Sequence, residues 1–198
     1  MNNLTNQSEL IAKVLISNDQ HAFSQIVKHY QQAIRQYCRR LCAPDISLAD
    51  DIAQETFWQA YRKLKLFSGK GKFQGWLFRI AYFQFLQHLR KFKKAQSLTD
   101  DDGNIDDIEV IGHAQQVTDN RDIEAAMTHL KANERICLTM QFSFGYSQTE
   151  ISEILQMPLG SVKSYSKRGK DKLTEIFRLA ENRSKQTADK KVNINGAA

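Results

Sequence analysis

Ser147-Gln148-Thr149-Glu150-Ile151-Ser152-Glu153-Ile154-Leu155-Gln156-Met157-Pro158-Leu159-Gly160-Ser161-Val162-Lys163-Ser164 is the stretch whose reading decides the fold. Ser147 followed three residues later by Glu150 is a capping box, which opens a short helix through Leu155. Gln156-Met157-Pro158-Leu159-Gly160 breaks that helix, because proline lacks an amide donor and clashes inside a helix. A longer basic helix then runs from about Ser161 to Leu179. A short helix, a tight break and a basic helix make a helix-turn-helix. On the second helix Val162, Tyr165, Gly169, Leu173 and Ile176 follow the inward face, while Ser161, Lys163, Ser164, Lys167, Arg168 and Lys170 lie mainly outside it. The N-terminal part of such a helix enters the major groove, where hydroxyls and cations meet phosphates and base edges. A solvated lysine-rich helix is the plainer reading of the same residues; the break in front of it favours DNA.

Working outward, segments near 122–130 and 133–142 read as helices, and Phe144-Gly145-Tyr146 as the turn before the capping box. Further upstream the charge changes character. Residues 1–94 carry a net +9, residues 95–120 contain no Lys or Arg and carry −7, and residues 121–198 carry +4. The chain therefore divides into two basic modules, 8–94 and 121–180, joined by an acidic strap, 95–120, and followed by a polar tail, 181–198. The strap lacks helical periodicity and its like charges repel, so it is expected to be extended or disordered when alone. The tail is expected to fray after Glu181.

The first module also reads as helices. Leu10, Ile11, Val14 and Leu15 form a short stripe ended by Ser17-Asn18-Asp19. Phe23, Ile26, Val27, Tyr30, Ile34, Tyr37, Cys38 and Leu41 keep i, i+3, i+4 spacing until Pro44. Ser47-Leu48-Ala49-Asp50 has the pattern of another helix start. The loop Ser68-Gly69-Lys70-Gly71-Lys72 leads into a last helix from about Gln74 to Lys94, with its cations at the end the helix dipole prefers. The fold class expected is all-α: two small helical domains on a flexible acidic linker, the second a helix-turn-helix. Only two prolines in 198 residues suit such a chain.

Composition excludes several functions. The stretch Met1–Gln20 has no apolar run longer than Val14-Leu15-Ile16, so neither a signal peptide nor a membrane span is expected there. Three cysteines do not make a disulfide framework, and a reducing cytoplasm is the compartment they suit. Cys38 and Cys42 are spaced i, i+4, but no second pair completes a metal site. The histidines 21, 29, 88, 113 and 129 are scattered, and Asp100–Asp107 lacks the calcium-loop pattern. No phosphate loop or nucleophile motif appears, so no enzyme, cofactor or metal is expected. A net charge of +6 instead favours polyanions or an acidic partner.

Two further constellations bear on binding. Asp51, Gln54, Glu55 and Trp58 share one helix face, opposite an apolar face of Ile52, Ala53, Thr56, Ala60 and Leu64. A tryptophan on a charged face marks a binding surface about as often as a ring tucked under a neighbour. Phe73 to Phe85 is crowded with aromatics and flanked by Lys70, Lys72, Arg79, Arg90 and Lys91. Rings that stack on unpaired bases beside cations that track phosphates are the chemistry of single-strand binding. Most rings on a buried helix are core, so two or three are expected to touch nucleic acid, Trp76 and Tyr82 before Leu77 or Ile80.

Together these residues resemble the bacterial sigma factors of the extracytoplasmic-function group. Asp51-Ile52-Ala53-Gln54-Glu55-Thr56-Phe57 is similar to the family's D-x-x-Q-E-x-F signature, and Phe73-Gln74-Gly75-Trp76-Leu77-Phe78-Arg79-Ile80-Ala81 to its F-x-x-W-L-x-R-I-A segment. Gly145 to Leu155 and Gly160 to Ser164 resemble its C-terminal helix-turn-helix, and order and spacing agree over roughly residues 8–178. The resemblance implies that Asp51, Gln54, Glu55 and Trp58 dock on core RNA polymerase. It implies that Lys70, Lys72, Phe73, Trp76, Arg79, Tyr82, Phe83, Arg90 and Lys91 hold the melted −10 promoter strand. Ser161, Lys163, Ser164, Lys167 and Arg168 would then read the −35 duplex, the strap would thread toward the polymerase cleft, and an anti-sigma factor would cover these surfaces. The sequence departs from the family at Phe83, where Asn is usual, at Gln87, where Asp is usual, at Tyr165 and Gly169, where Arg and Ala are frequent, and at Ala132, where Pro is common. Glycine at 169 is expected to cost about 1 kcal/mol of helix stability. The rival reading is an autonomous helix-turn-helix regulator that binds duplex DNA without polymerase.

Overall fold

Two aspartates placed just before helices set the boundaries of the first module. The computed structural model describes residues 2–96 and 121–195. Helix α1 (Asn2–Ser17) ends where Asn18 takes a left-handed φ of 53°. Asp19 then accepts the Ala22 N–H at 3.0 Å and opens α2 (Gln20–Cys42). Asp45 accepts the Leu48 N–H at 2.9 Å and opens α3 (Ile46–Lys63). The start expected at Ser47 is thus corrected: Asp45, extended directly after Pro44, already holds its carboxylate at the free amides, and Ser47 falls inside the first turn. A single 3₁₀ turn, Leu64–Leu66, and the loop to Lys72 lead into α4 (Phe73–Gln96).

The second module comprises α5 (Arg121–Thr128), α6 (Ala132–Leu138), α7 (Gln148–Leu155) and α8 (Leu159–Asn195). After Leu138 the helix widens into a π turn, Thr139–Ser143, and Gly145 turns the chain at φ 69°. The backbone of α8 runs on as helix to Asn195, beyond the point where the tail was expected to fray; no Gly or Pro interrupts residues 170–195. The strap, with Asp100–Asp107 and His113, lies outside the described residues from 97 to 120. Among the described residues the structure is helical throughout, as the periodicity predicts, and none of its helices is long and apolar enough to cross a membrane.

Apolar faces explain the packing. In the first module α1 lies on α2, and α2, α3 and α4 pack pairwise around Ile26, Ile34, Leu41, Ile52, Leu64, Leu77 and Phe85. In the second, every residue of α6 is buried, one side on α8 and the other on α2. The two modules are therefore not beads on a string: they share one core. The Tyr37 ring of α2 stacks on Phe78 of α4 at 4.3 Å, and Phe144 from the second module closes on Phe78 at 4.6 Å. Arg135 of α6 has no exposed surface; its guanidinium donates to the Leu130 carbonyl at 2.7 Å and to the Leu41 carbonyl, at the C-terminus of α2, at 3.1 Å. Burial pulls its pKa down to about 10, which leaves the group charged at neutral pH.

Gly169 has a structural reason. A Cβ there would stand 2.8 Å from Leu138 Cδ1 and 3.2 Å from Glu134 Cβ, so glycine lets α8 approach α6. Leu138 is itself held in a small cluster with Met127 and Leu130, and the Glu134 Cβ is fixed to the backbone. The substitution Gly169→Ala gains about 1 kcal/mol of helix propensity against about 1–3 kcal/mol of overpacking. Urea denaturation is expected to show a net loss of about 1 kcal/mol; a gain would show that α8 shifts freely to admit the methyl group.

Candidate nucleic-acid interface

The helix-turn-helix forms as the sequence predicts. Ser147 Oγ accepts the Glu150 N–H at 3.2 Å, and Glu150 Oε2 accepts the Ser147 N–H at 2.8 Å, which fixes the start of α7. Gln156 ends it in a left-handed turn with φ 55°. Ser152 locks that turn from both sides, its carbonyl accepting the Met157 N–H at 3.1 Å and its hydroxyl donating to the Met157 carbonyl at 2.6 Å. The Pro158 carbonyl starts α8 by accepting from Ser161 and Val162. Ile151, Leu155, Val162 and Tyr165 go to the core. Lys163, Ser164, Lys167 and Arg168 are exposed and Ser161 is half-buried, so the five nominated residues share the outer face. The Arg168 guanidinium rests 5.1 Å from the Tyr165 ring centroid, which aims it along that face. From Leu159 to Lys170 the helix carries no acid.

The aromatic helix divides differently from expectation. Lys70, Lys72, Arg90 and Lys91 are exposed, and Trp76, Arg79 and Phe83 are half-buried along one side of α4. The Arg79 guanidinium lies 5.8 Å from the Phe83 ring, and Trp76 leans on Phe67 at 5.5 Å. Phe73, at 2% exposed, is a core ring packed against Tyr30, Phe67 and Trp76; it offers no face to a base. Tyr82, at 4% exposed, donates its hydroxyl to Asn133 Oδ1 of the second module at 2.9 Å. In this arrangement both are corrections to a reading in which they touch nucleic acid. Phe73 is covered by its own module and Tyr82 is tied to the other one.

On α3 the two faces separate as the spacing predicts. Ile52, Ala53, Thr56, Ala60 and, just beyond the helix, Leu64 are buried, the Thr56 hydroxyl returning to the Ile52 carbonyl at 2.7 Å. Asp51, Gln54 and Trp58 are exposed, Trp58 by 52%, and Glu55 is half-buried with Oε1 accepting from Gln59 at 2.8 Å. The Arg62 guanidinium stands 4.4 Å over the Trp58 ring, a cation–π contact. Sequence reasoning missed the residues that join the modules: Asn133, Arg135 and Phe144. The one signal was an arginine directly before the apolar run Ile136-Cys137-Leu138 of α6.

The three cysteines are free and buried, and burial alone pushes the Cys137 thiol up to about 12. Cys42 is also raised to about 12 by burial, against the opposing pull of Arg135, so these are uncharged packing groups. Among the described residues no group of three or more His, Cys, Asp or Glu side chains comes together to hold a metal ion.

The family models for sigma-70 region 2 and sigma-70 region 4 match residues 26–95 and 120–173. The chain is 31% identical over 185 residues to the ECF RNA polymerase sigma factor SigW of Bacillus subtilis (strain 168), across 84% of this chain and 94% of that protein. It is 29% identical over 181 residues to the RNA polymerase sigma factor NccH of Alcaligenes xylosoxydans xylosoxydans, across 87% and 96%. Among solved structures, the sigma factor RpoE in complex with the anti-sigma factor NepR from Bartonella quintana is similar, with a TM-score of 0.62 and 26% identity, over 79% of this chain and 96% of that one.

The capping box makes a stability prediction. The Ser147 backbone N–H, then its hydroxyl, hold the Glu150 carboxyl below the usual carboxylate range. Its stabilising effect is therefore full above about pH 5 and is lost as pH falls through that lowered value. Ser147→Ala is expected to lower the unfolding free energy by about 1 kcal/mol. The stability difference between the wild type and Glu150→Ala should narrow on acidification; a difference independent of pH would show that the charge is not what stabilises the helix start.

Proposed function

The chain belongs to the extracytoplasmic-function RNA polymerase sigma factors, and on that premise we propose which of its surfaces carry each step of initiation. A sigma factor supplies promoter recognition to a polymerase that has none. The observation that carries the assignment is that the three motif surfaces all face outward on two helical units. Asp51, Gln54, Glu55 and Trp58 form the polymerase-docking stripe on α3. Lys70, Lys72, Trp76, Arg79, Phe83, Arg90 and Lys91 hold the unpaired −10 strand, cations along the phosphates and rings against bases, each stacked base contributing about 1–3 kcal/mol. Phe73 and Tyr82 support that surface from behind. Ser161, Lys163, Ser164, Lys167 and Arg168 enter the major groove at the −35 element.

The modules taken to do this are residues 8–94 and 121–180; the family matches at 26–95 and 120–173 fall largely within them and support the division. The protein acts without catalysis of its own and works in the cytoplasm, where its polymerase is. The RpoE relative was solved bound to an anti-sigma factor, and the same class of partner is proposed for this chain. The rival reading, a regulator that binds duplex DNA alone, is not favoured; such a protein has no use for the α3 stripe.

Two measurements test the assignment. Glu55→Arg with Gln54→Ala should abolish co-elution with bacterial core RNA polymerase on a sizing column and leave the helical spectrum unchanged. Co-elution of the double variant would remove the docking stripe from α3. Lys163→Ala or Arg168→Ala in the holoenzyme should weaken −35 binding by about 1–3 kcal/mol at one base position if it loses a base contact, or equally across sequences if it loses a phosphate. Promoter binding unchanged by both would place the reading face elsewhere.

A further inference from the structure

Exposed apolar side chains gather at one corner of the first module, where α1 ends beside the end of α3. Ile16 is 86% exposed, Leu66 is 68% exposed, and Leu15 is exposed as well. Local contacts bring them together. Helix α1 touches the 3₁₀ turn Leu64–Leu66. The Tyr61 hydroxyl donates to Asn18 Oδ1 at 2.7 Å, and the Tyr61 ring meets Phe23 edge-on at 4.9 Å, which pins the end of α1 to the end of α3. The Asn18 N–H returns to the Val14 carbonyl at 3.0 Å and holds Leu15 and Ile16 in a closed last turn. Lys13, Arg62 and Lys65 are exposed around this corner. The outer face of α3 is therefore bipolar, with Asp51 and Glu55 at one end, Trp58 in the middle, and Arg62 and Lys65 toward the corner.

The α3 stripe is too small to hold a polymerase by itself. From Asp51 to Trp58 the helix runs roughly 10 Å, on a cylinder roughly 10 Å wide. Such a stripe offers on the order of 100 Å², whereas a stable interface buries roughly 800 Å² on each partner. The footprint must extend past the stripe, and the centre of a stable interface is apolar. Toward the start of α3 the stripe meets a single exposed apolar side chain, Ile46; toward its end it meets Leu66, Ile16 and Leu15. Contiguous exposed apolar surface rimmed by charge is what marks a protein-binding site.

We infer that the corner of Leu15, Ile16 and Leu66 is an apolar seat for core RNA polymerase, continuous with the α3 stripe, and that the polymerase surface resting there carries apolar side chains flanked by acids that meet Arg62 and Lys65. The inference rests on the assignment of the α3 stripe to polymerase docking.

The test uses the full-length chain with Ile16→Ser and Leu66→Ser together. Both side chains face solvent, so the helical spectrum and the melting temperature should match the wild type. Affinity for bacterial core polymerase is measured by competition against labelled wild-type chain. The serine variant should bind roughly tenfold more weakly or worse, since two apolar side chains lose their burial. That loss should be the same at low and high salt, because an apolar contact is not screened. Lys65→Glu should also weaken binding, with a loss that shrinks as salt rises. Unchanged affinity of the serine variant and of Lys65→Glu, while Glu55→Arg still weakens binding, would overturn the inference and leave the stripe standing. Affinity untouched by Glu55→Arg as well would remove the docking assignment itself. Sedimentation of the chain alone covers the other occupant: a dimer that the serine variant dissolves, with its polymerase affinity intact, would give the corner to a second copy and overturn the inference.

Discussion

A buried guanidinium holds the two halves of this protein in their observed relation. Arg135 cannot sit in an apolar core unless its donors are paired, because an uncompensated buried charge is strongly destabilising. It meets that demand with two carbonyls, one from the loop before its own helix and one from the C-terminus of α2, where the helix dipole favours a cation. The second bond fixes α6 against α2. From there the rest follows: Phe144 closes on the Tyr37–Phe78 stack, Asn133 reaches Tyr82, and α7 lies across the start of α4. The guanidinium is not fully satisfied, since Nε lacks a partner, and a buried unsatisfied donor costs about 1–3 kcal/mol. The same residue that orients the modules therefore limits how firmly they adhere.

That balance suits a protein whose two recognition elements lie far apart on DNA. A joint of purely apolar surface would be harder to open, and no joint would leave Tyr37, Phe78, Phe144 and Met140 in water. At this joint Tyr37, Phe78 and Met140 are buried and Phe144 is half-buried. Asp51, Gln54 and Trp58 on α3 and Lys163, Ser164, Lys167 and Arg168 on α8 are exposed, whereas Gly75 and Tyr82 are buried against the second module.

Much of this architecture was legible in the sequence. The capping box at Ser147 and Glu150 fixed the start of α7 because both reciprocal partners are local, three residues apart. The faces of α3 were legible because helical spacing alone separates Ile52 and Ala53 from Asp51 and Gln54. Where two local signals competed, the reading slipped: Asp45 and Ser47 both suit a cap, and the backbone after Pro44 chose the aspartate. The burial of Phe73 and Tyr82 was not legible, for a different reason. Periodicity tells which side of α4 is apolar but not how many neighbours cover it, and α4 is apolar nearly all round. That breadth, together with an arginine inside α6, was the only trace of the shared core, whose partners are 51 residues apart for Tyr82 and Asn133 and 94 apart for Leu41 and Arg135. The exposure of Asp51, Gln54, Lys163 and Arg168 needed no such long-range knowledge, because helical spacing alone sets them on outer faces.

The central claim is that one core spans both modules in the free chain, and native-state hydrogen exchange tests it most directly. Amides of α4 around Leu77 to Ala81 and amides of α6 around Ile136 to Leu138 face that core from opposite sides. A shared core predicts that both sets exchange through a common opening with the same free energy and the same response to denaturant. Two separate opening free energies, with α6 exchanging while α4 remains protected, would show that the modules fold and sit independently.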